Sequence, residues 1–163
     1  MQAKPQPTSD QSLIEHLSRE PVVSVLSPHP LIVQWGDPTA EVVGQMRERG
    51  QTCALVMREG VLSGIFTERD HLDKVAGNPD RRAAPIHELM SASPRTLSSG
   101  QSVADAIRLV VAGGYRQLPV VDDGTLLGVV AALDIVQYIA DLFPAEVLNL
   151  PPDPDQVPRQ EGA

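Results

Sequence analysis

The sequence has few of the residues that stabilise a fold other than by aliphatic packing. Its 163 residues include one cysteine, one tryptophan, two tyrosines and two phenylalanines. The single cysteine, Cys53, excludes an internal disulfide. Apolar residues still make up 42% of the chain, which is sufficient for a folded globular body. The core must therefore be built mainly from Val, Leu, Ile and Ala.

Basic residues are also scarce. Lys and Arg number 13 against 21 Asp and Glu, which leaves a net charge of −8 and argues against non-specific binding to nucleic acid or to an anionic membrane. No apolar run approaches the length of a membrane span. The start of the chain, MQAKPQPTSDQ, lacks the hydrophobic stretch of a signal peptide. Together with the single cysteine, these features predict a soluble cytoplasmic protein.

Residue types used in catalysis and metal binding are present without the required spacing. The four histidines do not lie at metal-ligand spacing from one another or from Cys53. Cys53 lies in a predicted buried strand, where a thiol behaves as a small hydrophobic group. Asp122 and Asp123 precede Gly124 and are typical of a turn. We therefore predict no catalytic residue, no metal site and no required cofactor.

The chain contains an internal duplication with an offset of 64 residues. Residues 50–70, GQTCALVMREGVLSGIFTERD, align with residues 114–134, GYRQLPVVDDGTLLGVVAALD, and most remaining pairs are apolar on apolar. The identical pairs are Gly50/Gly114, Val56/Val120, Gly60/Gly124, Leu62/Leu126, Gly64/Gly128 and Asp70/Asp134. A repeat of this length indicates a duplicated supersecondary unit rather than a solenoid.

Each copy predicts a β-α-β-β-α unit, so the fold class is α+β. A short strand opens each copy, and a helix follows with Thr39 or Ser102 as its N-cap and Gly50 or Gly114 at its end. An apolar hairpin and a second helix complete the unit. The predicted strands are 31–34, 53–57 and 61–66, then 95–97, 117–121 and 125–130; the predicted second helices are 67–76 and 132–142.

The predicted organisation has four parts. Residues 1–20 form an N-terminal tail, polar and disordered over 1–11, with a short helix at 12–19 that packs on the body. Residues 21–80 form the first repeat and 81–145 the second. Residues 146–163 are rich in proline and polar residues, which predicts a disordered C-terminal tail.

The stretch GIFTERD, residues 64–70, carries groups suited to a nucleotide. An ionised Asp70 can accept both hydrogen bonds of a ribose cis-diol. Thr67 lies where strand becomes helix, and its hydroxyl can bind phosphate there. Arg69 supplies a cation, and Gly64 permits close approach of the backbone. The same spacing also fits a simpler structure, in which Thr67 is an N-cap and Asp70 its capping-box partner.

The repeat resembles a pair of CBS domains, the family named after cystathionine β-synthase. The resemblance rests on HELMSASPRTLSSGQSVADAIRLVVAGGYRQLPVVDDGTLLGVVAALDIV in the second repeat and on GIFTERD in the first, and it covers residues 21–143. It implies a pseudo-twofold module of two repeats. It also implies two clefts between the repeats that bind adenine nucleotides.

The resemblance implies further site residues. The Asp70 cleft would be completed by Pro94 and Arg95, and the Asp134 cleft by Leu31 and Ile32. Arg116 and Gln117 match positions that often bind phosphate in the family.

The second copy departs from the motif, because Ala131 and Leu133 stand where the first has Thr67 and Arg69. We therefore expect unequal sites, with the Asp70 site the tighter.

The resemblance also implies a function. We expect a regulatory module that binds AMP, ADP or ATP and acts as an energy or stress sensor on a separate partner protein. Apolar helix faces, exemplified by Ile135, Ile139 and Leu142, predict a homodimer. The alternative is a module that binds no ligand and serves only as a dimerisation or interaction scaffold.

Overall fold

The computed structural model describes residues 10–27 and 29–142. The predicted disordered tail at 146–163, and the predicted disorder of residues 1–9, lie outside the described residues. The helices are α1 (Asp10–Arg19), α2 (Thr39–Glu48), α3 (Glu68–Lys74), α4 (Val103–Gly113) and α5 (Ala132–Leu142). The strands are β1 (Leu31–Gln34), β2 (Cys53–Arg58), β3 (Val61–Thr67), β4 (Ser91–Ala92), β5 (Gln117–Asp122) and β6 (Thr125–Ala131). Short 3-10 turns occur at Val22–Val25, Pro79–Arg82 and Ile86–Glu88.

The strands confirm the predicted duplication and the α+β fold. In the first repeat β1 pairs with β2 in parallel, and β2 forms an antiparallel hairpin with β3. In the second repeat β5 forms the matching hairpin with β6. The predicted strand at 95–97 is reduced to one parallel bridge between Leu97 and Val120, the counterpart of the Val33–Val56 pair in the first sheet.

Each sheet receives a short segment from the chain that leads into the other repeat. Ser91 in β4, near the start of the second repeat, pairs with Ile65 of the first sheet. Ser27, ahead of β1, pairs with Val129 of the second sheet. The two pairs occupy equivalent positions in the two copies, so this exchange ties the repeats together symmetrically. No local sequence pattern predicted β4.

Helix termini follow the sequence signals in part. Ser102 caps α4 in a capping box with Asp105, and Gly114 ends that helix with φ of 66°, as predicted. The prediction of Thr39 as an N-cap was wrong, because Pro38 is the cap residue and Thr39 is the first helical residue. The Thr39 hydroxyl is fully buried and donates to the Ala84 carbonyl instead. That partner lies 45 residues away, beyond the reach of a local capping argument.

The two repeats have separate cores and share a third cluster. The first core contains Val42 and Phe66, and the second contains Leu118 and Ile135. Between the sheets, the two hairpins pack through a shared cluster formed by Cys53, Leu55, Ile65 and Val129. The hairpins are thereby held against each other by apolar contacts contributed by both copies.

Helix α1 packs on the second repeat, although it precedes the first in sequence. Leu17 is buried in the second core, next to residues of α4 and α5. The helix begins at Asp10, so the prediction of disorder over 1–11 was wrong for its last two residues. With α1 in this position, Ile135 is only 4% exposed. The prediction that Ile135 lies on an uncovered helix face was therefore wrong.

Within the ranges that the structure covers, no helix combines the length and the apolar character needed to cross a membrane.

Candidate functional site

The Asp70 carboxylate is buried and fully engaged by the chain itself. Thr67 donates to Asp70 Oδ2 from its backbone nitrogen at 3.0 Å and from its hydroxyl at 2.8 Å. Lys74 Nζ donates to Asp70 Oδ1 at 2.6 Å, and the Ser91 hydroxyl reaches the same oxygen at 3.3 Å. A carboxylate offers about four acceptor positions, so the internal donors occupy its capacity.

Thr67 and Asp70 form the capping box that was the simpler interpretation of GIFTERD. The Thr67 hydroxyl accepts from the Asp70 backbone nitrogen, while the Asp70 side chain accepts from the Thr67 backbone nitrogen. Burial alone would raise the pKa of Asp70. The hydrogen bonds from Lys74 and Thr67, with the positive charge of Lys74, outweigh burial and hold that pKa below its usual value. Asp70 is therefore ionised at neutral pH.

The Asp134 carboxylate is much less engaged. Its Oδ2 accepts from the Ala131 backbone nitrogen at 3.0 Å. Across the described part of the chain no other donor lies within hydrogen-bonding distance of this side chain. The carboxylate borders an open pocket of about 370 Å³, here called the Asp134 pocket. The pocket is lined by Ser24, Val25, Leu26, Ser27, Asp134, Gln137, Tyr138 and Asp141.

The duplication allows the two carboxylates to be compared position by position. The residue equivalent to Lys74 is Tyr138, and the residue equivalent to Leu89 is Val25. Lys74 Nζ also donates to the Leu89 carbonyl at 2.7 Å, so it spans the space that corresponds to the Asp134 pocket. Tyr138 Oη instead lies 3.2 Å from His16 Nε2 of α1. One aspartate is thus closed by a cation, and its counterpart is open.

Arg116 and Gln117 lie where the two repeats meet. The Arg116 carbonyl accepts from Ala132 at the start of α5, which places this exposed residue beside the helix that carries Asp134. Gln117 Nε2 donates to the Thr52 hydroxyl at 2.7 Å, linking the entry strands of the two hairpins. Gln117 is therefore partly committed to a bond between the repeats.

Among the described residues, the other predicted site residues donate no hydrogen bond to either carboxylate. Arg69 and Arg95 are exposed, and Pro94 is half-buried. Leu31 is buried in the first core, Ile32 is 48% exposed, and neither lines the Asp134 pocket.

The exchange of segments between the sheets explains why residues 24–27 line the Asp134 pocket and Leu31 and Ile32 do not. Because Ser27 bridges to Val129, the chain passes Asp134 before it reaches β1.

Sequence reasoning missed Lys74, Ser91 and the segment 24–27. Lys74 was detectable, because it follows Asp70 by four residues and such residues are neighbours on a helix surface. Ser91 and segment 24–27 had no comparable signal, since their positions depend on pairing with the opposite repeat.

Cys53 shows the features predicted for it. It is 3% exposed, and burial raises the pKa of its thiol to about 11, so it is not a thiolate at neutral pH. Over residues 10–27 and 29–142, no group of three or more His, Cys, Asp or Glu side chains is placed to hold a metal ion.

The pseudo-twofold pair of β-α-β-β-α repeats defines a class of small two-repeat modules, and comparison with known proteins identifies the family. The family model of the CBS domain matches residues 86–141. The chain is 30% identical over 95 residues to the CBS domain-containing protein YhcV of Bacillus subtilis, covering 58% of this chain and 68% of that protein. The chain therefore belongs to the family of CBS domain proteins.

Solved structures show the same fold. A protein with CBS domains from Burkholderia ambifaria matches with a TM-score of 0.69 and 27% identity, over 74% of this chain and 94% of that one. The protein CBSX2, solved in complex with AMP, matches with a TM-score of 0.68 and 22% identity, over 75% of this chain and 97% of that one.

Some relatives are longer than the matched region. The chain spans 55% of the length of a curated relative to which it is 38% identical over 110 residues. It spans as little as 14% of another.

Proposed function

We propose that the protein is a regulatory module that binds an adenine nucleotide (AMP, ADP or ATP), with the Asp134 pocket as its principal site. The open Asp134 carboxylate is the observation that carries the proposal. This carboxylate stands at the position of the duplicated motif and borders a pocket of about 370 Å³. A ribose cis-diol presents two donors, and the carboxylate can accept both. The complex of CBSX2 with AMP supports the choice of ligand class.

The phosphate end of the ligand would lie toward Arg116. The backbone of Arg116 is hydrogen-bonded to the first residue of α5, and its side chain is exposed. The first turn of a helix presents unpaired N–H groups and a partial positive charge, which favour an anion. This arrangement offsets the absence of a hydroxyl at Ala131 and of a cation at Leu133. A nucleotide with few phosphates fits such a site, because Arg116 does not itself line the pocket and Asp141, which does, is acidic.

The order of the two sites differs from the sequence-based expectation. Asp70 has the better motif, but its oxygens already accept from Thr67, Lys74 and Ser91. Asp134 has the poorer motif and the freer carboxylate. We therefore propose that the ligand binds at Asp134 and not at Asp70.

Binding would be transmitted to a separate partner protein through the elements that join the repeats. Sensing of energy state or stress and the cytoplasmic location stay predictions.

Isothermal titration calorimetry with AMP tests the proposal. The wild-type chain should bind AMP, and Asp134→Ala should lose this binding because the diol acceptor is removed. Asp73→Ala, an exposed residue at another position on a comparable helix, is the matched control and should bind as the wild type does. GMP should bind more weakly than AMP.

The alternative function is a scaffold that binds no ligand. The Asp70 carboxylate already accepts hydrogen bonds from the chain itself, which favours the scaffold function for the Asp70 cleft. Absence of heat with AMP, ADP and ATP, together with unchanged melting temperatures, would refute nucleotide binding and favour the scaffold. A ligand that binds only the folded state at a hundredfold excess over Kd should stabilise it by about 2.7 kcal/mol, which a melting curve resolves.

A further inference from the structure

We propose that Lys74 determines which cleft takes ligand: its ammonium group acts as an internal ligand of Asp70, and it closes that cleft while the Asp134 pocket stays open. The inference rests on the proposed function and deepens it by assigning a specificity-determining residue. The motif residues predict the opposite order of binding, because Thr67 and Arg69 favour the Asp70 cleft, which Lys74 closes.

The ammonium group of Lys74 bridges two oxygen atoms of the chain. Lys74 Nζ lies 2.6 Å from Asp70 Oδ1 and 2.7 Å from the Leu89 carbonyl oxygen. An ordinary helical ion pair four residues apart would leave the amine in solvent. Here the second bond draws the amine across to the 3-10 turn Ile86–Glu88 and the residue after it. The side chain of Lys74 is 34% exposed and that of Asp70 10%.

The two repeats place equivalent residues beside the two carboxylates. Leu89 corresponds to Val25 and Ser91 to Ser27, and both Val25 and Ser27 line the Asp134 pocket. The space that Lys74 spans is therefore the counterpart of an open pocket in the same molecule. Tyr138, at the position of Lys74, is held toward α1 by His16. Burial, with the negative charge and hydrogen bond of Glu20, raises the pKa of Tyr138 to about 12, so its hydroxyl carries no charge at neutral pH.

The Lys74 ammonium group and a ribose diol would compete as donors to the Asp70 carboxylate. Any donor to an ionised carboxylate makes a charge-assisted hydrogen bond, but an ammonium group adds the attraction of a full positive charge, which a diol lacks. A ribose diol would have to replace the ammonium group on Asp70 with two neutral donors, and would leave the ammonium group to find another partner. Thr67 and Ser91 further reduce the acceptor capacity that a diol could use. Lys74 thus excludes a diol by occupying its acceptor.

Calorimetric titration of the full chain with AMP tests the inference through stoichiometry. The wild type should bind one AMP per chain, with that binding lost in Asp134→Ala. Lys74→Met removes the ammonium group, keeps an unbranched side chain as far as the ε-carbon and a similar helix preference, and should bind two. The double variant Lys74→Met/Asp70→Ala should return to one. Lys74→Arg keeps a cation and should remain at one; Lys74→Gln is a second neutral variant in case Lys74→Met does not fold.

The outcomes separate the inference from the proposed function. One site in the wild type and one in both neutral variants would overturn the role of Lys74 while the Asp134 site stands. Two sites in the wild type, or one that depends on Asp70, would also overturn it. A site gained in Lys74→Met when the wild type has none would support the role of Lys74 and refute Asp134 as the principal site. No binding in any variant would overturn both proposals.

Discussion

At the scale of single residues, the charged cluster at the start of α3 combines a structural role with a potential binding role. Asp70 completes a capping box with Thr67 and pairs with Lys74 in a largely buried position. Removing one member of such a cluster leaves the others unsatisfied, which costs more than the net contribution of any single bond. The cluster should therefore contribute to stability whether or not a ligand binds.

Asp70→Asn should lower the free energy of unfolding by about 1–3 kcal/mol at pH 7. Because the pKa of Asp70 is below its usual value in the folded protein, its stabilisation is fully present above the unfolded pKa of about 4. The stabilisation is lost as the pH falls through the folded pKa. The difference between the variant and the wild type should thus shrink in urea unfolding curves measured at progressively lower pH, from 5 to 3.

Asp73→Asn is the control for this measurement, since Asp73 is an exposed residue of the same helix. It should change stability by no more than about 0.5 kcal/mol. A loss in Asp70→Asn that stays constant from pH 7 to pH 3 would contradict an electrostatic origin.

At the scale of secondary-structure elements, the exchanged segments depend on close approach to two equivalent glycines. A Cβ at Gly128 would lie 2.5 Å from the Ser27 carbonyl oxygen and 2.9 Å from the Leu26 side chain. The three atoms nearest to a Cβ at Gly64 all belong to the side chain of Met90. A methionine side chain can move aside, whereas a backbone carbonyl within a bridge cannot move without breaking the pairing.

Gly128→Ala should therefore destabilise the fold more than Gly64→Ala. Overpacking of this kind costs about 1–3 kcal/mol, and we expect Gly128→Ala near the upper end of that range and Gly64→Ala near or below the lower. Chemical denaturation of the two variants, which make the same change at equivalent positions, provides the comparison. An equal or larger loss in Gly64→Ala would contradict the expected difference between a backbone contact and a side-chain contact.

At the scale of the whole molecule, the second repeat carries an apolar surface that no element among the described residues covers. Leu133 is 74% exposed and Val136 60% exposed, and their spacing of three places them on one face of α5. The sequence predicted a dimer contact through the face that contains Ile135, but Ile135 is buried, whereas Leu133 and Val136 are exposed. We propose that it forms the contact of a homodimer, in keeping with the sequence-based prediction.

Leu133→Arg should shift the dimer toward the monomer, because a charge placed at the centre of an apolar contact loses its hydration. The substitution introduces the residue type that the first repeat has at the equivalent position, Arg69, so the helix should tolerate it. Light scattering at micromolar concentration gives the mass directly. Val61→Arg, at an exposed hairpin position, is the control and should leave the mass unchanged. A monomeric wild type would refute the dimer.

The sequence alone determined those features that arise from neighbouring residues. The hairpins, the α5 helix at 132–142, the Ser102 cap and the duplication were all predictable, because alternation, helical periodicity and turn residues act over a few positions. The pairing of Thr67 with Asp70 was predictable for the same reason.

Only the tertiary structure decided which aspartate is open. Lys74 closes Asp70 by reaching the Leu89 carbonyl, 15 residues away, and Ser27 reaches Val129 in the other repeat. Ile135 is likewise buried in a core that also contains Leu17 of α1, an element distant from it in sequence. Such contacts form because the repeats exchange segments across a pseudo-twofold axis, and a local residue pattern carries no information about that exchange.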